Sequence, residues 1–162
     1  MALASYLRLK GQTQGQVKGG VTQKGREDSI MVIAISHDVV SPRDAASGLP
    51  TGKRQHRPFV ITKELDKATP LLYNILVNNE NITEWSLEYW RPSAKGAETK
   101  VFTVKLTNAS IASIQHKVLN VKDLNLSRFL ELEEIAFCYQ KIEWTWMDGG
   151  ITSMDDWEAP VA

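Results

Sequence analysis

The sequence predicts a mainly β fold, a closed or nearly closed barrel carrying one helix on its flank, and three observations carry that prediction. Apolar and polar residues alternate with period two over several short segments, the pattern of strands with one buried face. A single segment combines helix start and stop signals. The chain has 162 residues, 43% of them hydrophobic and 23% charged, which is the size of one domain with enough apolar material for one core.

The elements follow in order along the chain. Residues 3–9 open with a strand pattern. Ile30 to Ile35 is a continuous apolar run rich in β-branched residues, which predicts one strand covered on both faces. It is also the longest apolar stretch and far too short to span a bilayer. Residues 41–57 show no periodicity and read as a long loop, a kind of segment that in a compact domain is functional or disordered. Its basic end, Lys53, Arg54 and Arg57, suits an anion or the acidic rim of a partner; a solvated surface loop is the alternative that composition leaves open. Residues 59–62 form a short strand, and Thr62-Lys63-Glu64-Leu65-Asp66 a separate capped turn, because Pro70 would break a helix running through it. The helix follows near 70–78. Thr69 is placed to accept from the free amides of the first turn, and Pro70 stands where its missing N–H costs nothing. Leu72, Ile75 and Leu76 share a face, and Asn78-Asn79 tolerates a left-handed stop. Trp85, Leu87 and Tyr89 then alternate with Glu84, Ser86 and Glu88; Phe102, Val104 and Leu106 with Val101, Thr103 and Lys105; Ile142, Trp144 and Trp146 with Lys141, Glu143 and Thr145. Residues 110–118 and 129–139 carry weaker strand patterns between the last two.

Charge and chemistry exclude more than they assign. Lys+Arg and Asp+Glu both number 19, which gives no global reason to expect nucleic acid or an anionic membrane as partner. The ends differ: Arg8, Lys10, Lys18, Lys24 and Arg26 occur in residues 1–26 without an acid, and Asp148, Asp155, Asp156 and Glu158 in the last sixteen without a base. Such ends can attract within a chain or between stacked copies, or simply be solvated. The lone Cys138 allows no intrachain disulfide or multi-cysteine metal site, and among Ala136, Phe137 and Tyr139 it reads as a buried, inert thiol. His37, His56 and His116 are scattered, with no second ligand at a metal-like spacing, so no metal and no cofactor is expected. Glu131 and Glu133 share a strand face that reads as solvated or interfacial. Trp85, Trp144 and Trp146 read as buried, leaving Trp90 and Trp157 as candidate exposed anchors. No phosphate loop or nucleophile constellation is present, so the chain is not expected to be an enzyme. The start lacks the basic and apolar regions of a secretory signal, which predicts synthesis in the cytoplasm.

Several motifs, in this order, resemble the Hcp (haemolysin-coregulated protein) family: Ser5-Tyr6-Leu7-x-Leu9-x-Gly11-Gln12-Thr13-Gln14-Gly15, Glu27-Asp28-Ser29-Ile30-Met31-Val32, Ser47-Gly48-x-Pro50-Thr51-Gly52-Lys53-Arg54-Gln55-His56-Arg57-Pro58-Phe59, Asp66-Lys67-Ala68-Thr69-Pro70-Leu71-Leu72-Tyr73-Asn74, Tyr139-x-Lys141-Ile142-x-Trp144 and Asp155-Asp156-Trp157-x-Ala159-Pro160. The resemblance covers nearly the whole chain as a single domain. It implies a small β-barrel of two packed antiparallel sheets that closes into a hexameric ring. Rings of this family stack into the hollow tube of the bacterial type VI secretion system, inside a contractile sheath and behind a spike, and carry small effector proteins in the lumen. The expected partners are therefore further copies of the chain, the sheath and spike proteins, and effectors, with no nucleic acid and no membrane insertion. The protein would be cytoplasmic before firing and secreted without a signal peptide. Some relatives carry a fused C-terminal toxin; with two residues past Ala159-Pro160, none is expected here.

The resemblance also gives the 41–57 loop a role, contact with an adjacent ring, through Arg43, Asp44, Lys53, Arg54, Gln55, His56 and Arg57. Asp148, Asp155 and Asp156 are the expected stacking partners, and Ser113 and Gln115 the expected lumen-facing residues. Two other readings compete. A monomeric β-barrel binding module would capture an anionic ligand with the basic loop and form no ring. A hydrolase using Glu131 and Glu133 lacks the accompanying nucleophile, metal set or phosphate loop.

Overall fold

Period-two alternation becomes alternating burial in the structure, a computed structural model that describes residues 4–157. Leu3, Glu158 and the Ala159-Pro160 motif lie outside the described residues. In β1 (Ser5–Gly11) Leu7 and Leu9 are buried and Lys10 faces solvent. On one side β1 pairs antiparallel with β8 (Ile82–Pro92). On its other side β2 (Gly15–Val17) takes Leu9–Gly11 and β3 (Ile30–Val32) takes Ser5–Leu7. Beyond β8 the sheet continues through β9 (Glu98–Thr107) and β12 (Lys141–Trp146) to β13 (Ile151–Asp156) at the edge, seven strands in all. A four-stranded antiparallel sheet of order β10 (Ser110–Lys117), β11 (Leu132–Cys138), β7 (Phe59–Glu64) and β4 (Ala34–Ser36) packs against it.

The core lies between the two inner faces. Leu7, Trp85 and Leu87 of the large sheet meet Phe59, Ile61, Ile135 and Phe137 of the small one, all at most 2% exposed. Each such side chain contributes about 1.5 to 3 kcal/mol by leaving water. The helix α1 (Thr69–Val77) lies against β10 and adds Leu72 and Ile75 to the same cluster.

Four local expectations need correction. The Ile30–Ile35 run is two strands in different sheets: Ile33, 41% exposed, is the corner between β3 and β4, and its N–H bonds to the Thr62 carbonyl at 2.9 Å. Thr62 to Glu64 complete β7, because Lys63 finds a buried carboxylate inside; only Leu65 and Asp66 turn. Thr69 does not cap its own helix. Its hydroxyl accepts from the Asp66 N–H at 3.1 Å, and Asp66 Oδ1 accepts from Ala68 at 2.9 Å, so the turn before the helix is the capped unit. Residues 41–57 are no structureless loop, since β5 (Val39–Val40) and β6 (Gln55–His56) pair at its base. The helix stop is as expected, with Asn79 at φ 51°.

Among the described residues the basic start finds its ion pairs with acids other than those of the acidic end. Arg8 lies 4.0 Å from Glu88, Lys18 pairs with Asp28 and Arg26 with Glu98, while Asp155 pairs with Arg54. Arg26 is 7% exposed and its guanidinium lies 4.9 Å from the Tyr6 ring centre and 4.5 Å from that of Trp90. Trp90 is thereby a half-buried partner of Arg26, and its Nε1–H donates to Glu88. Trp146, by contrast, is 39% exposed, and Cys138 faces solvent, because odd-numbered β11 residues point inward and Cys138 is even.

The β2–β3 connection makes a sharp demand on one glycine. A Cβ on Gly19 would stand 2.3 Å from the Ser29 carbonyl oxygen and 2.7 Å from Ile30 Cα, both backbone, whereas one on Gly20 would meet nothing within 4 Å. Gly19→Ala should cost about 3 kcal/mol, and Gly20→Ala within about 0.5 of zero. Urea midpoints at unchanged slope measure both, and equal shifts would show that the connection simply moves aside.

Candidate functional site: the 39–57 hairpin and its seat on the barrel

The segment from Val39 to Arg57 is an antiparallel hairpin closed at three levels. Val39 pairs with His56 and Val40 with Gln55 at the base, Arg43 bridges to Pro50 in the middle, and Arg57 donates its N–H to the Asp38 carbonyl below. At the tip the Asp44 carboxylate accepts from both the N–H and the hydroxyl of Ser47 at 2.7 Å, and Gly48 at φ 72° lets the chain reverse. These hydrogen bonds hold the Asp44 carboxyl below its ordinary value of 3.8, the Ser47 hydroxyl foremost. Asp44 is a turn former by chemistry as well as an exposed acid.

The hairpin sorts its charges by face. Arg43, Asp44, Lys53, Gln55 and Arg57 are exposed. The side chains of Arg43 and Lys53 make no ion pair among the described residues, and Arg57 stands 3.4 Å from Asp38 with both well exposed. Arg54 and His56 turn inward. Arg54 meets Asp155 of β13 bidentately, Nε to Oδ2 at 2.5 Å and Nη2 to Oδ1 at 2.8 Å, and also donates to the Asp156 carbonyl at 2.9 Å. The guanidinium holds the Asp155 carboxyl below its ordinary value of 3.8, with the His56 hydrogen bond adding to it.

His56 extends that contact into a chain of hydrogen bonds. Its Nε2 lies 2.6 Å from Asp155 Oδ2 and its Nδ1 2.7 Å from the Tyr139 hydroxyl, with the side chain 1% exposed. The same hydroxyl lies 2.8 Å from His37 Nε2, and burial pushes the phenol up and the His37 imidazole down. Trp157 closes the site: its ring centre lies 5.9 Å from that of His56 and its Nε1–H donates to the Tyr139 carbonyl. So two of the three scattered histidines converge on one tyrosine, and Trp157 is a half-buried wall, not an open anchor.

The remaining expected residues lie elsewhere. Asp148 is exposed in the short 3-10 turn at Asp148–Gly150 between β12 and β13, and Asp156 accepts from the Gln140 side chain at 3.2 Å. Ser113 and Gln115 are exposed on β10 at the edge of the small sheet, as is His116. Glu131 and Glu133 are not a solvated pair, since Glu133 is 0% exposed and bound to Lys63. His37 and Tyr139 were invisible as site residues in the sequence. Two-residue strands are too short to show periodicity, so only Val39-Val40 facing Gln55-His56 across the loop hints at the hairpin that joins them.

Comparison with known proteins places this geometry. The family described as "Type VI secretion system effector, Hcp" matches residues 6–146. The "Major exported protein" of Pseudomonas aeruginosa is 39% identical over 171 residues, covering 100% of this chain and 99% of that one. A solved structure titled "Crystal structure of Hcp protein" superposes with TM-score 0.89 at 31% identity, covering 97% of this chain and 99% of that one. The secreted protein Hcp3 from Pseudomonas aeruginosa does so with TM-score 0.79 at 31% identity, covering 96% and 99%.

Proposed function

The chain belongs to the Hcp family of type VI secretion proteins, a family of secreted structural proteins and not of enzymes, and on that premise we propose that it is a tube subunit. Copies close into a hexameric ring, rings stack into a hollow tube, and sheath contraction expels the tube behind its spike with small effectors in the lumen. Assembly takes place in the cytoplasm, and export follows on firing. The observation that carries this reading is the family match over residues 6–146 together with a hydrogen-bonded hairpin that presents charge outward. A heterologous contact repeated around a ring needs both a fixed shape and a fixed rotation.

The stacking contact runs through the outward residues. Arg43 and Lys53 make no ion pair within their own chain among the described residues, and Asp148, exposed at the far end of the large sheet, is the acid that receives them on the next ring. Asp155 and Asp156 are engaged by Arg54 and Gln140 inside one subunit and act by seating the hairpin. Ser113 and Gln115 of β10 are assigned to the lumen wall.

Native mass of the untagged protein tests the reading. The expected species at high salt is the hexamer, and lowering the salt is expected to add higher stacks. Arg43→Glu with Lys53→Glu should abolish the stacks and leave the ring. Stacks unchanged in that double variant would remove the charge contact, and a monomer at every concentration would replace the tube reading with a ligand-binding barrel.

A further inference from the structure

The 39–57 hairpin is joined to the rest of the molecule in an unusual way. β5 and β6 pair with each other and, among the described residues, with no other strand; they continue β7 and β4 of the small sheet past the Arg57 N–H bond to the Asp38 carbonyl, so the ladder reaches only their base. Above that base, what seats the hairpin against β13 and the β11–β12 turn is side-chain chemistry: Arg54 on Asp155 and the Asp156 carbonyl, and His56 on Asp155 and Tyr139. At the foot of the hairpin, His37 reaches the same Tyr139 oxygen from the segment that leaves β4.

Counting protons gives this chain a direction. Asp155, ionised beside Arg54, can only accept, so His56 Nε2 carries a proton. In a neutral His56 the Nδ1 is then an acceptor, which makes the Tyr139 hydroxyl its donor and leaves the phenol oxygen to accept from His37 Nε2–H. Every N–H and O–H in the line then has an acceptor. One added proton is also accommodated. If His56 becomes an imidazolium, Nδ1–H donates to Tyr139 and the hydroxyl turns to donate to His37 Nε2, whose proton moves to Nδ1. A second added proton is not accommodated: two N–H groups then face one phenol oxygen, whose own hydrogen has lost both acceptors, and two positive rings share a half-buried site.

We propose that His37, Tyr139, His56 and Asp155 form an acid-sensitive latch on the 39–57 hairpin, closed while at most one imidazole is charged and released when both are. The charged groups facing the two rings are Asp155 of β13, Arg54 of the hairpin and Asp38 beside His37. Tyr139 and its neighbour Cys138 are the titratable groups at the β11–β12 turn. Phe59 and Trp157 wall the site with rings 4.8 Å from His37 and 5.9 Å from His56.

The direction with pH follows from His37. Burial, with the charge of His56 behind it, pushes its imidazole below the ordinary 6.5, against a smaller opposing pull from Asp38. At His37 the closed state therefore binds fewer protons than the open one. Closure is complete above the ordinary histidine value and is lost as pH falls below it. Asp155, held below 3.8, keeps its charge through this interval, so the carboxylate is not what titrates.

Hydrogen–deuterium exchange of the intact chain tests the latch, with rates corrected for the intrinsic effect of pH. Between about pH 7.5 and about pH 5, amides of residues 39–57 should lose about tenfold or more in protection while β8 and β9 keep theirs. His37→Gln can donate to Tyr139 and never charges, so its hairpin should stay protected at the acid end. Tyr139→Phe has no shared hydroxyl, and its hairpin at neutral pH should already exchange like the acid form of the native protein. A hairpin whose protection ignores pH, or a His37→Gln chain that opens on acidification as fully as the native one, overturns the proposal. Loss of protection in β8 and β9 together with the hairpin does the same, since it reports global unfolding. The readout needs no ring, so it stands or falls apart from tube assembly.

Discussion

Lys63→Met is expected to lower stability by about 3 to 5 kcal/mol, the loss typical of removing one member of a buried ion pair. Lys63 and Glu133 are both 0% exposed, and the ammonium lies 2.5 Å from Glu133 Oε1. Lys63 also donates to the Glu64 carbonyl at 2.9 Å and to the Thr69 hydroxyl at 3.2 Å, and stands 3.0 Å from Asp66. The ammonium thus ties β7, β11 and the start of α1 to one point. Methionine keeps the stem's bulk and removes only the charge, so Glu133 is left buried with neither oxygen partnered by an ammonium; its Oε2 already lacks a hydrogen bond. Lys63→Met with Glu133→Leu removes both charges and should return to within about 1 kcal/mol of the native protein or exceed it. Denaturant midpoints measure the series. A double variant as unstable as Lys63→Met alone would show that packing at the helix start, and not the stranded charge, is what the lysine supplies.

The same residues show where the sequence could be read and where it could not. Trp85-x-Leu87 and Phe102-x-Val104-x-Leu106 announced their strands because each side chain answers only to which face of one sheet it occupies. The helix was legible for a similar reason: Pro70 and Asn79 act through the local backbone, and α1 begins within one residue of expectation. Lys63, Glu133, His37 and Tyr139 were not legible. Their roles depend on partners 70 and 102 residues away, which no local pattern reports. A lysine in an alternating strand normally marks the wet face, and here the inward position is tolerated only because Glu133 arrives at the same register. Likewise the basic loop was legible as a charged segment but not as a hairpin, because the side chains that seat it come from β13 and the β11–β12 turn.

Trp85→Ala is expected to cost about 3 to 5 kcal/mol, and Trp85→Phe far less. The indole belongs to β8, and its two ring neighbours belong to the other sheet: Phe59 of β7 at 5.1 Å and Phe137 of β11 at 5.4 Å, both edge-to-face. Alanine empties the middle of the interface between the sheets, where the close-packed neighbours relax only partly. Phenylalanine keeps one ring for both partners. It also removes an N–H that is buried without a hydrogen-bond partner, so part of the lost area is offset. Thermal or urea unfolding separates the two variants. Equal losses would mean that the size of the indole, not the presence of an aromatic ring, sets the spacing of the sheets. That spacing bears on more than stability. The hairpin seat rests on β13 of one sheet and on the turn leaving β11 of the other, so an altered sheet separation moves Asp155 relative to Tyr139. Trp85→Phe should therefore keep the hairpin protection of the native protein, while Trp85→Ala, at a temperature where it is still folded, should lose hairpin protection before it loses β8 and β9.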